Sequence, residues 1–266
     1  MSTSNLPFTC ALVTGGGGGI GKAFSAYLIS KGIKVIIAGR TEASLQSTAR
    51  EIGAAAYYVL DTGKTDTIPE FISRVTKDHP ELDCLMNNAG VQRPLEVFKT
   101  PTEEYLQKAD QEIDINIRGP MHLAVGLLEH FRTRPSAAII NVSSVLGFIP
   151  FSVINPVYNG TKAWLHSWTV TLRTQIEWAG LKDRIKVIEI APPSVETNLH
   201  RERENPDDNK KRNNPSSLSI EEFMDEVSRQ FEGGEEMIGA GPSANFVRKW
   251  YDAYGEPYKK ATMKKA

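Results

Sequence analysis

The sequence predicts a single α/β domain in which helices cover both faces of a doubly wound parallel sheet of about seven strands. Three observations lead to this fold class. Short apolar runs alternate with helical patterns, a run of glycines joins the first strand to the first helix, and the 266-residue chain shows no internal repeat. With 40% hydrophobic and 24% charged residues, the composition is that of a globular protein, and residues 1–266 are treated as one domain.

The predicted strands are short apolar runs of the kind that is buried on both faces of a parallel sheet. They lie at residues 10–13, 33–38, 55–60, 83–87, 137–142 and 185–191, with a short seventh strand near 237–238. Helices are predicted between them, where apolar residues recur at helical spacing. They lie at residues 20–31, 68–75, 105–128 and 163–179, with one more after the capping box at 219–222.

Charge and composition argue against several classes of protein. A net charge of −1 argues against a nucleic-acid or membrane-surface binder, and no apolar stretch approaches the length of a membrane span. The first residues, MSTSNLPFT, lack the basic and apolar regions of a signal peptide. Cys10 and Cys84 fall in predicted buried strands, and the histidines lack metal-ligand spacing. We therefore expect a cytoplasmic protein without a bound metal.

Two segments stand apart from the strand–helix pattern. Residues 198–217 are highly charged and contain two prolines, and a loop of this length is either a mobile surface loop or a lid over the substrate. The C-terminal tail, residues 251–266, is rich in tyrosine and lysine. We expect this tail to be frayed or docked on a partner subunit.

The glycine run in VTGGGGGIGKAF has two interpretations, a flexible linker or a phosphate-binding turn. The run alone does not decide, because consecutive glycines satisfy almost any glycine pattern. Its position between a predicted strand and a predicted helix favours the turn, where glycines let backbone N–H groups approach a pyrophosphate. The sequence therefore predicts a Rossmann-type dinucleotide site that includes Gly15, Gly18, Gly19, Ile20 and Gly21.

The residue after the second strand indicates which nucleotide binds. Arg40 follows Gly21 by 19 residues, where an NAD-binding protein usually has an acid for the ribose hydroxyls. A guanidinium suits a 2′-phosphate, so NADPH or NADP⁺ is favoured over NADH, although Arg40 also fits an ordinary solvated cation. Asp61 follows the third strand, where it is placed either to bind the adenine amine or to form a turn before Gly63.

Two side chains at helical spacing, just before the predicted helix at 163–179, suit proton transfer to a carbonyl. Tyr158 and Lys162 are one helical turn apart, and an ammonium that stabilises the phenolate should lower the tyrosine pKa. Ser144, at the end of the fifth strand, is placed to donate a hydrogen bond to the carbonyl oxygen, or else to form a turn. A second Tyr-x3-Lys pair, Tyr27 and Lys31, fits a core tyrosine and a surface lysine of the first helix.

Several motifs in one order resemble the short-chain dehydrogenase/reductase family over roughly residues 8–199. They are TGxxxGxG at 14–21, NNAG at 87–90, an asparagine at 116, NVSS at 141–144, YxxxK at 158–162 and PPxVxT at 192–197. The resemblance implies that Tyr158 is the acid in reduction, that Lys162 also holds the nicotinamide ribose, and that Asn116 anchors a relay water rather than being only a satisfied helix amide. It implies cofactor contacts from Asn88, Ala89, Gly90, Tyr158, Lys162, Pro192, Val195 and Thr197.

Three details depart from the common pattern of that family or need a choice. Ser143 competes with Ser144, and the SxxG pattern counted from Gly147 selects Ser144. The gap from Ser144 to Tyr158 is one residue longer than is usual. Pro193 replaces a glycine, which should stiffen its loop because proline fixes φ. The PPxVxT form is similar to the subgroup named after the DltE reductases of teichoic-acid operons.

The substrate pocket is expected at the carboxyl ends of the strands. Its candidate residues are Gln92, Arg93, Phe148 and Ile154, which would suit an apolar ketone or aldehyde with one polar or acidic group. Arg93 fits an ordinary surface residue equally well.

The family resemblance implies a homodimer or homotetramer that pairs through the tryptophan-bearing helix and the long helix before it. The alternative places these rings, Trp164, Trp168 and Trp178, in the core of the monomer.

The function predicted from the sequence is that of an NADPH-dependent oxidoreductase. It would reduce a ketone or aldehyde to an alcohol, or catalyse the reverse reaction, with Tyr158 as the proton donor. The alternative is an NADP(H)-binding protein without redox turnover, acting as a sensor or as the scaffold for a non-redox reaction.

Overall fold

The computed structural model describes residues 6–263, and its centre is a seven-stranded parallel sheet. The strands are β1 (Cys10–Thr14), β2 (Lys34–Gly39), β3 (Ala56–Val59), β4 (Cys84–Asn87), β5 (Ala137–Val142), β6 (Ile185–Ala191) and β7 (Met237–Gly239). Their order is β3-β2-β1-β4-β5-β6-β7, which confirms the predicted doubly wound sheet. The order reverses direction between β1 and β4, and ligands of such sheets bind in the crevice that this reversal opens.

Eight α-helices flank the sheet in the part of the chain that the structure describes. They are α1 (Gly19–Ser30), α2 (Glu42–Ile52), α3 (Ile68–Asp78), α4 (Thr102–Ile113), α5 (Gly119–Arg132), α6 (Pro156–Trp178), α7 (Ile220–Glu232) and α8 (Pro242–Thr262). The long helix predicted at 105–128 is interrupted by a π-helical segment, Asp114–Arg118, which joins α4 to α5. The capping box that begins α7 is confirmed, because Ser219 and Glu222 cap each other's backbone N–H groups.

Each face of the sheet carries its own apolar core, because successive side chains along a strand point to opposite faces. In β1, Val13 packs with α1 and α7, whereas Leu12 packs with α3, α5 and α6. Cys84 belongs to the first core and Cys10 to the second, so the two buried thiols lie on opposite faces and are free. Burial on both faces explains why the strands appear in the sequence as continuous apolar runs.

The glycine run forms a tight turn and not a linker. Gly15 has a φ of 66°, which favours glycine, and a Cβ built at Gly21 would lie 2.4 Å from the Gly15 carbonyl oxygen and 2.4 Å from the Asn88 side-chain nitrogen. The Asn88 amide donates a hydrogen bond to the Thr14 carbonyl at 2.9 Å. The turn after β1 is therefore packed directly against the turn after β4.

The C-terminal tail corrects one prediction, because it is part of α8 and docks on its own chain. The Tyr258 and Thr174 hydroxyls lie 2.8 Å apart, and the Trp178 indole donates to the Thr262 carbonyl at 3.1 Å. Both contacts join α8 to α6 of the same chain. The described residues do not include residues 264–266 of this tail. They also do not include residues 1–5, which belong to the segment where the sequence predicted no signal peptide.

The segment at 198–217 consists of turns that lie over the carboxyl edge of the sheet. Its Asn209 side chain donates to the Val195 and Thr197 carbonyls at 2.9 and 3.0 Å, and Glu202 accepts from Arg93 at 3.2 Å. These contacts hold the segment against the domain. Within residues 6–263, no helix has the length and apolar character to cross a membrane, and no cluster of histidine, cysteine, aspartate or glutamate suits a metal ion.

The first prediction concerns the glycine turn. Gly21→Ala should lower the free energy of unfolding by about 1–3 kcal/mol, because the added methyl group clashes with backbone at the turn, and this outweighs the helix-propensity gain of about 1 kcal/mol. Gly18→Ala is the matched control, since no described atom lies within 4 Å of a Cβ built there. Urea unfolding of both variants tests this; equal stabilities would contradict the close packing at Gly21.

Candidate active site

A cavity of about 620 Å³ opens at the crevice between β1 and β4. It brings together residues from six separate parts of the sequence. Among the predicted cofactor and catalytic residues, those that line it are Gly15, Gly18, Gly19, Ile20, Asn88, Ala89, Gly90, Ser144, Tyr158, Lys162, Pro192, Val195 and Thr197. The parallel strands explain this convergence, because their carboxyl ends all meet at one edge of the sheet.

Three predicted cofactor residues lie outside the cavity wall. Gly21 packs beneath the turn, as described above. Arg40 is exposed at the end of β2, and its guanidinium has no ion-pair partner among the described residues. Asp61 follows β3 and accepts a hydrogen bond from the Gly63 N–H at 3.1 Å, as the turn interpretation predicted. Its second carboxylate oxygen takes no part in that turn, so the adenine contact stays a prediction.

The two neighbouring serines after β5 have different surroundings. The Ser144 hydroxyl faces the cavity and accepts a hydrogen bond from the Leu146 N–H at 3.2 Å. The Ser143 hydroxyl instead donates to the buried carboxylate of Glu189, which also contacts His166 at 2.9 Å. Both serines line the cavity, but the Ser143 hydroxyl is engaged by Glu189, so the geometry favours Ser144, the residue that the SxxG spacing selects.

Tyr158 and Lys162 are both buried, and the lysine nitrogen lies 5.6 Å from the centroid of the tyrosine ring. Burial lowers the pKa of Lys162 to about 8, while Glu112 and Glu189 act in the opposite direction. Burial also raises the pKa of Tyr158 above its ordinary range, and Glu112 adds to this. The expectation that Lys162 lowers the tyrosine pKa is therefore wrong for this structure, because desolvation of both groups dominates.

Two groups do favour the phenolate form of Tyr158. A hydrogen bond with Ser144 and the positive charge of Arg203 both lower its pKa, although by less than burial raises it. The Lys162 ammonium donates to the Val142 carbonyl at 2.8 Å, which fixes its position below the ring. The site therefore holds a protonated phenol at neutral pH, and its charged neighbours limit the cost of ionising it.

Asn116 lies in the π-helical segment and joins three parts of the site. Its side chain donates to the Val91 carbonyl at 2.9 Å and to the Thr161 hydroxyl at 3.1 Å, and it accepts from the Val91 N–H at 3.0 Å. The amide is thus satisfied, as the alternative interpretation predicted. Because π-helical segments leave the regular backbone pattern, they occur often at functional sites. Any relay water would therefore bind the main chain here and not the side chain.

Sequence reasoning missed Glu112, which lies one helical turn before Asn116. Its carboxyl group is fully buried, and neither oxygen has a hydrogen-bond partner among the described residues. Burial raises the pKa of Glu112 to about 8, against the opposing charge of Arg93. The only sequence signal for it is a glutamate on the inward face of an amphipathic helix, in register with Asn116.

Of the four predicted substrate residues, the structure places one at the cavity and three outside its wall. Gln92 lines the cavity, but Arg93 does not, because its guanidinium is held by Glu202 and by the Lys108 carbonyl at 3.0 Å. Phe148 packs on His166 and Trp250 with centroid distances of 4.2 and 6.5 Å. Ile154 lies outside the cavity wall and receives a backbone hydrogen bond from Leu95. The residues that do line the cavity include Arg203, which the sequence did not single out within the 198–217 segment.

The residues at the glycine turn fit a dinucleotide. Glycine keeps the backbone open at Gly15 and Gly19, whose φ values are 66° and 52°, and α1 begins at the cavity with its N-terminal N–H groups. Such a helix start favours a phosphate, because its dipole and its unpaired N–H groups both attract negative charge. No aspartate or glutamate is among the described residues that line the cavity.

A doubly wound sheet, a nucleotide cradle and a buried Ser–Tyr–Lys group at one cavity together define a nicotinamide-dependent oxidoreductase. Comparison with known proteins gives the family. The chain belongs to the short-chain dehydrogenases, since the family model for short chain dehydrogenase matches residues 9–208. It acts on CH–OH or C=O groups of small molecules in the general manner of that family.

Individual relatives agree with this assignment. The chain is 39% identical over 192 residues to the uncharacterized oxidoreductase DltE of Bacillus subtilis, covering 71% of this chain and 72% of that protein. This confirms the predicted DltE-like subgroup. A short-chain dehydrogenase from Sphingobium yanoikuyae in complex with NADPH superposes with a TM-score of 0.80 at 20% identity, covering 97% of each chain. One from Burkholderia phymatum in complex with NAD gives 0.79 at 18% identity, also covering 97% of each.

The second prediction concerns the buried Glu112. Its carboxyl releases its proton near pH 4.5 in the unfolded chain and near pH 8 in the folded protein. Between these values the folded state binds more protons, so the free energy of unfolding should fall as pH rises. Glu112→Gln removes this titration, and its stability relative to wild type should rise across that range, by on the order of a few kcal/mol.

Urea unfolding at several pH values measures this difference. Glu129→Gln is the control, because that glutamate lies on α5 with 83% of its side chain exposed. The control should follow the wild-type pH dependence. Parallel curves for wild type and Glu112→Gln would show that the Glu112 proton is not retained in the folded protein.

Proposed function

We propose that the protein is an NADPH-dependent carbonyl reductase, which also runs in the direction of alcohol oxidation. The observation that supports this most directly is the convergence of Ser144, Tyr158 and Lys162 on the cavity that the glycine turn also lines. A bound nicotinamide nucleotide would supply hydride to the carbonyl carbon. The remaining requirement, a proton and a stabilising hydrogen bond at the carbonyl oxygen, would be met by residues of this chain.

In the proposed reduction, the Tyr158 phenol donates its proton to the carbonyl oxygen. Ser144 donates a hydrogen bond to the same oxygen and stabilises the negative charge that develops there. Lys162 stabilises the phenolate that results and binds the ribose hydroxyls of the cofactor. A water held at the π-helical segment around Asn116 then returns the proton to Tyr158. Because the pKa of Tyr158 is raised, reduction has its proton donor at neutral pH, whereas oxidation needs the ionised phenol and should increase with pH.

The preference for NADPH is supported by Arg40. Its exposed guanidinium at the end of β2 has no carboxylate partner within the described chain and is therefore available to a 2′-phosphate. Lys22, the other cation near the turn, is paired with Glu51 at 2.6 Å. Arg40 is thus the better candidate for this contact.

The rival function is that of an NADP(H)-binding protein without redox turnover. It would need the glycine turn but not the acid–base residues. Ser144, Tyr158 and Lys162 line one cavity, and Asn116 donates a hydrogen bond to Thr161, which lies between Tyr158 and Lys162 on α6. The presence of the complete set favours the enzyme.

We also propose a homodimer or homotetramer in the cytoplasm. Exposed apolar residues on the outer helices support assembly, with Leu106 on α4 57% exposed and Val125 on α5 54% exposed. Trp164 and Trp168 stack on each other at 5.4 Å, and Trp168 also packs on the core. Light scattering would give the oligomeric state, and a purely monomeric protein at micromolar concentration would contradict the assembly. Cell fractionation tests the location, and recovery outside the cytoplasmic fraction would contradict it.

The third prediction tests the proton donor. Tyr158→Phe should lower kcat for NADPH-dependent ketone reduction by about 100- to 10,000-fold, because general acid catalysis contributes about this much. Binding of NADPH, followed by fluorescence titration, should persist. Tyr27→Phe is the matched control, since Tyr27 heads the other Tyr-x3-Lys pair and its hydroxyl contacts Glu232 away from the cavity. Full activity of Tyr158→Phe would remove the proposed mechanism.

The fourth prediction tests the nucleotide preference. Arg40→Asp should weaken NADPH binding by about 10- to 100-fold through loss of a bidentate phosphate contact and added repulsion, and it should change NADH binding far less. Lys249→Asp, an exposed position on α8, applies the same charge change elsewhere. Titration of both nucleotides against both variants measures this. Equal losses for NADPH and NADH in Arg40→Asp would count against a 2′-phosphate contact.

A further inference from the structure

The charge of the cavity wall is one-sided. Lys162, Arg201 and Arg203 line it together with His200, and none of the described residues that line it is an aspartate or glutamate. Burial lowers the pKa of His200, which disfavours its charged form, although the contact with Asp208 acts in the opposite direction. A cavity with cations and no acids attracts anions, and the phosphates of a nucleotide account only for the part near the glycine turn.

Arg203 contacts residues near the reacting groups and not the glycine turn. Gly15 and Gly19 mark the nucleotide end of the cavity. Arg203 instead donates from Nη2 to the Asn155 side-chain oxygen at 2.6 Å and to that of Gln92 at 2.7 Å. Asn155 immediately precedes α6, so Tyr158 is within a helical turn of this contact.

The two edges of the Arg203 guanidinium differ in their partners. Nη1 is paired with the Asp208 carboxylate at 2.6 Å. Nη2 is held only by neutral amide oxygens, and the buried Nε has no partner among the described residues. A carboxylate on the Nε–Nη2 edge would accept two parallel hydrogen bonds, and charge-assisted bonds of this kind are stronger than those to amides. Gln92, the partner that lines the cavity, would give way to it.

We propose that the substrate is an oxo acid, or the corresponding hydroxy acid, and that Arg203 binds its carboxylate. The part between the carboxylate and the reacting carbonyl would lie against an apolar wall of Leu146, Phe151, Leu199 and Phe246. This inference rests on the proposed function, since it names the substrate class of the same site. It assigns to Arg203 the acidic-group contact for which Arg93 was the sequence candidate.

A structural alternative is that Arg203 only fastens the 198–217 segment to the domain. Its contacts with Gln92 and Asn155 would then close the cavity for any substrate, charged or neutral. The two roles predict different effects on a neutral substrate, because a fastening residue would matter equally for charged and neutral substrates. Comparing the kcat/KM of an acid with that of its own methyl ester therefore distinguishes them.

The experiment compares levulinate and para-acetylbenzoate with their methyl esters as substrates of the NADPH-loaded full chain. The wild type should reduce the acids with a kcat/KM about 10- to 100-fold higher than that for the esters, as expected for a hydrogen-bonded charge contact. In Arg203→Gln this ratio should fall to about 1, mainly through KM. Arg212→Gln is the matched control, because Arg212 is in the same segment, pairs with Asp207 at the surface and lies outside the cavity wall.

Each outcome decides the inference. Equal use of acid and ester by the wild type, or equal losses for both in Arg203→Gln, would overturn the carboxylate contact; the second result would leave Arg203 as a fastening residue. Ester reduction that is lost in Tyr158→Phe supports the proposed reaction whatever the acid preference. Calorimetric binding of para-acetylbenzoate to the NADP⁺-loaded wild type, but not to Arg203→Gln, would support the carboxylate site even if no carbonyl were reduced.

Discussion

The site depends on one polar contact between the turns that follow β1 and β4. The Thr14 hydroxyl accepts hydrogen bonds from the Asn88 and Ala89 N–H groups at 3.0 and 3.1 Å and donates to the Met86 carbonyl at 3.2 Å. The Asn88 side chain returns a bond to the Thr14 carbonyl. These bonds hold the two turns at the point where the strand order reverses. Gly15, which follows Thr14, therefore lines the cavity beside Asn88. A Cβ at Gly15 would lie 2.8 Å from the Asn88 side-chain nitrogen, so only glycine fits there.

The acid–base group illustrates how burial and charge compete. Tyr158 and Lys162 are removed from water, which disfavours the charged form of each. Glu112 and Glu189 help to keep the lysine charged, while Glu112 opposes ionisation of the tyrosine. Protonation of Glu112 would remove its own influence on the pKa of Lys162 and on the pKa of Tyr158. Ionised Glu112 thus raises the pKa of both groups, which favours the ammonium of Lys162 and the neutral phenol of Tyr158, and the charge state of the site is a property of all three residues together.

Much of the fold could be predicted because its signals are local. The buried strands are apolar runs, the glycine turn sits between a strand and a helix, and the spacing of Tyr158 and Lys162 is one helical turn. The missed features depend on tertiary contacts. Helix α2 was not predicted, because only Leu45 and Thr48 are buried and its apolar pattern is weak. Helix α8 was not predicted either, because residues such as Tyr258 are placed by contacts with α6 that the local sequence does not show.

The site residues that sequence reasoning missed share this dependence. Glu112 looks like any glutamate of an exposed helix until the segment containing Arg93 packs against it. Arg203 lies in a charged segment without periodicity, where no spacing distinguishes it from Arg201 or Arg212. The predicted pKa of Tyr158 was wrong for a related reason, since the spacing of two residues shows their attraction but not their burial. Desolvation is set by the whole fold, and here it is the largest influence on the pKa of Tyr158.

The 198–217 segment contributes both to the cavity wall and to the electrostatics of Tyr158. Arg203 belongs to this segment, and its charge is one of the two influences that favour the phenolate. Glu202, its neighbour, pairs with Arg93, whose guanidinium and backbone in turn face the carboxyl of Glu112. One segment therefore supplies part of the cavity wall, a cation that favours the phenolate and, through Glu202 and Arg93, a charge pair beside the buried glutamate. The wall that a substrate contacts and the electrostatics of its proton donor consequently depend on the same residues.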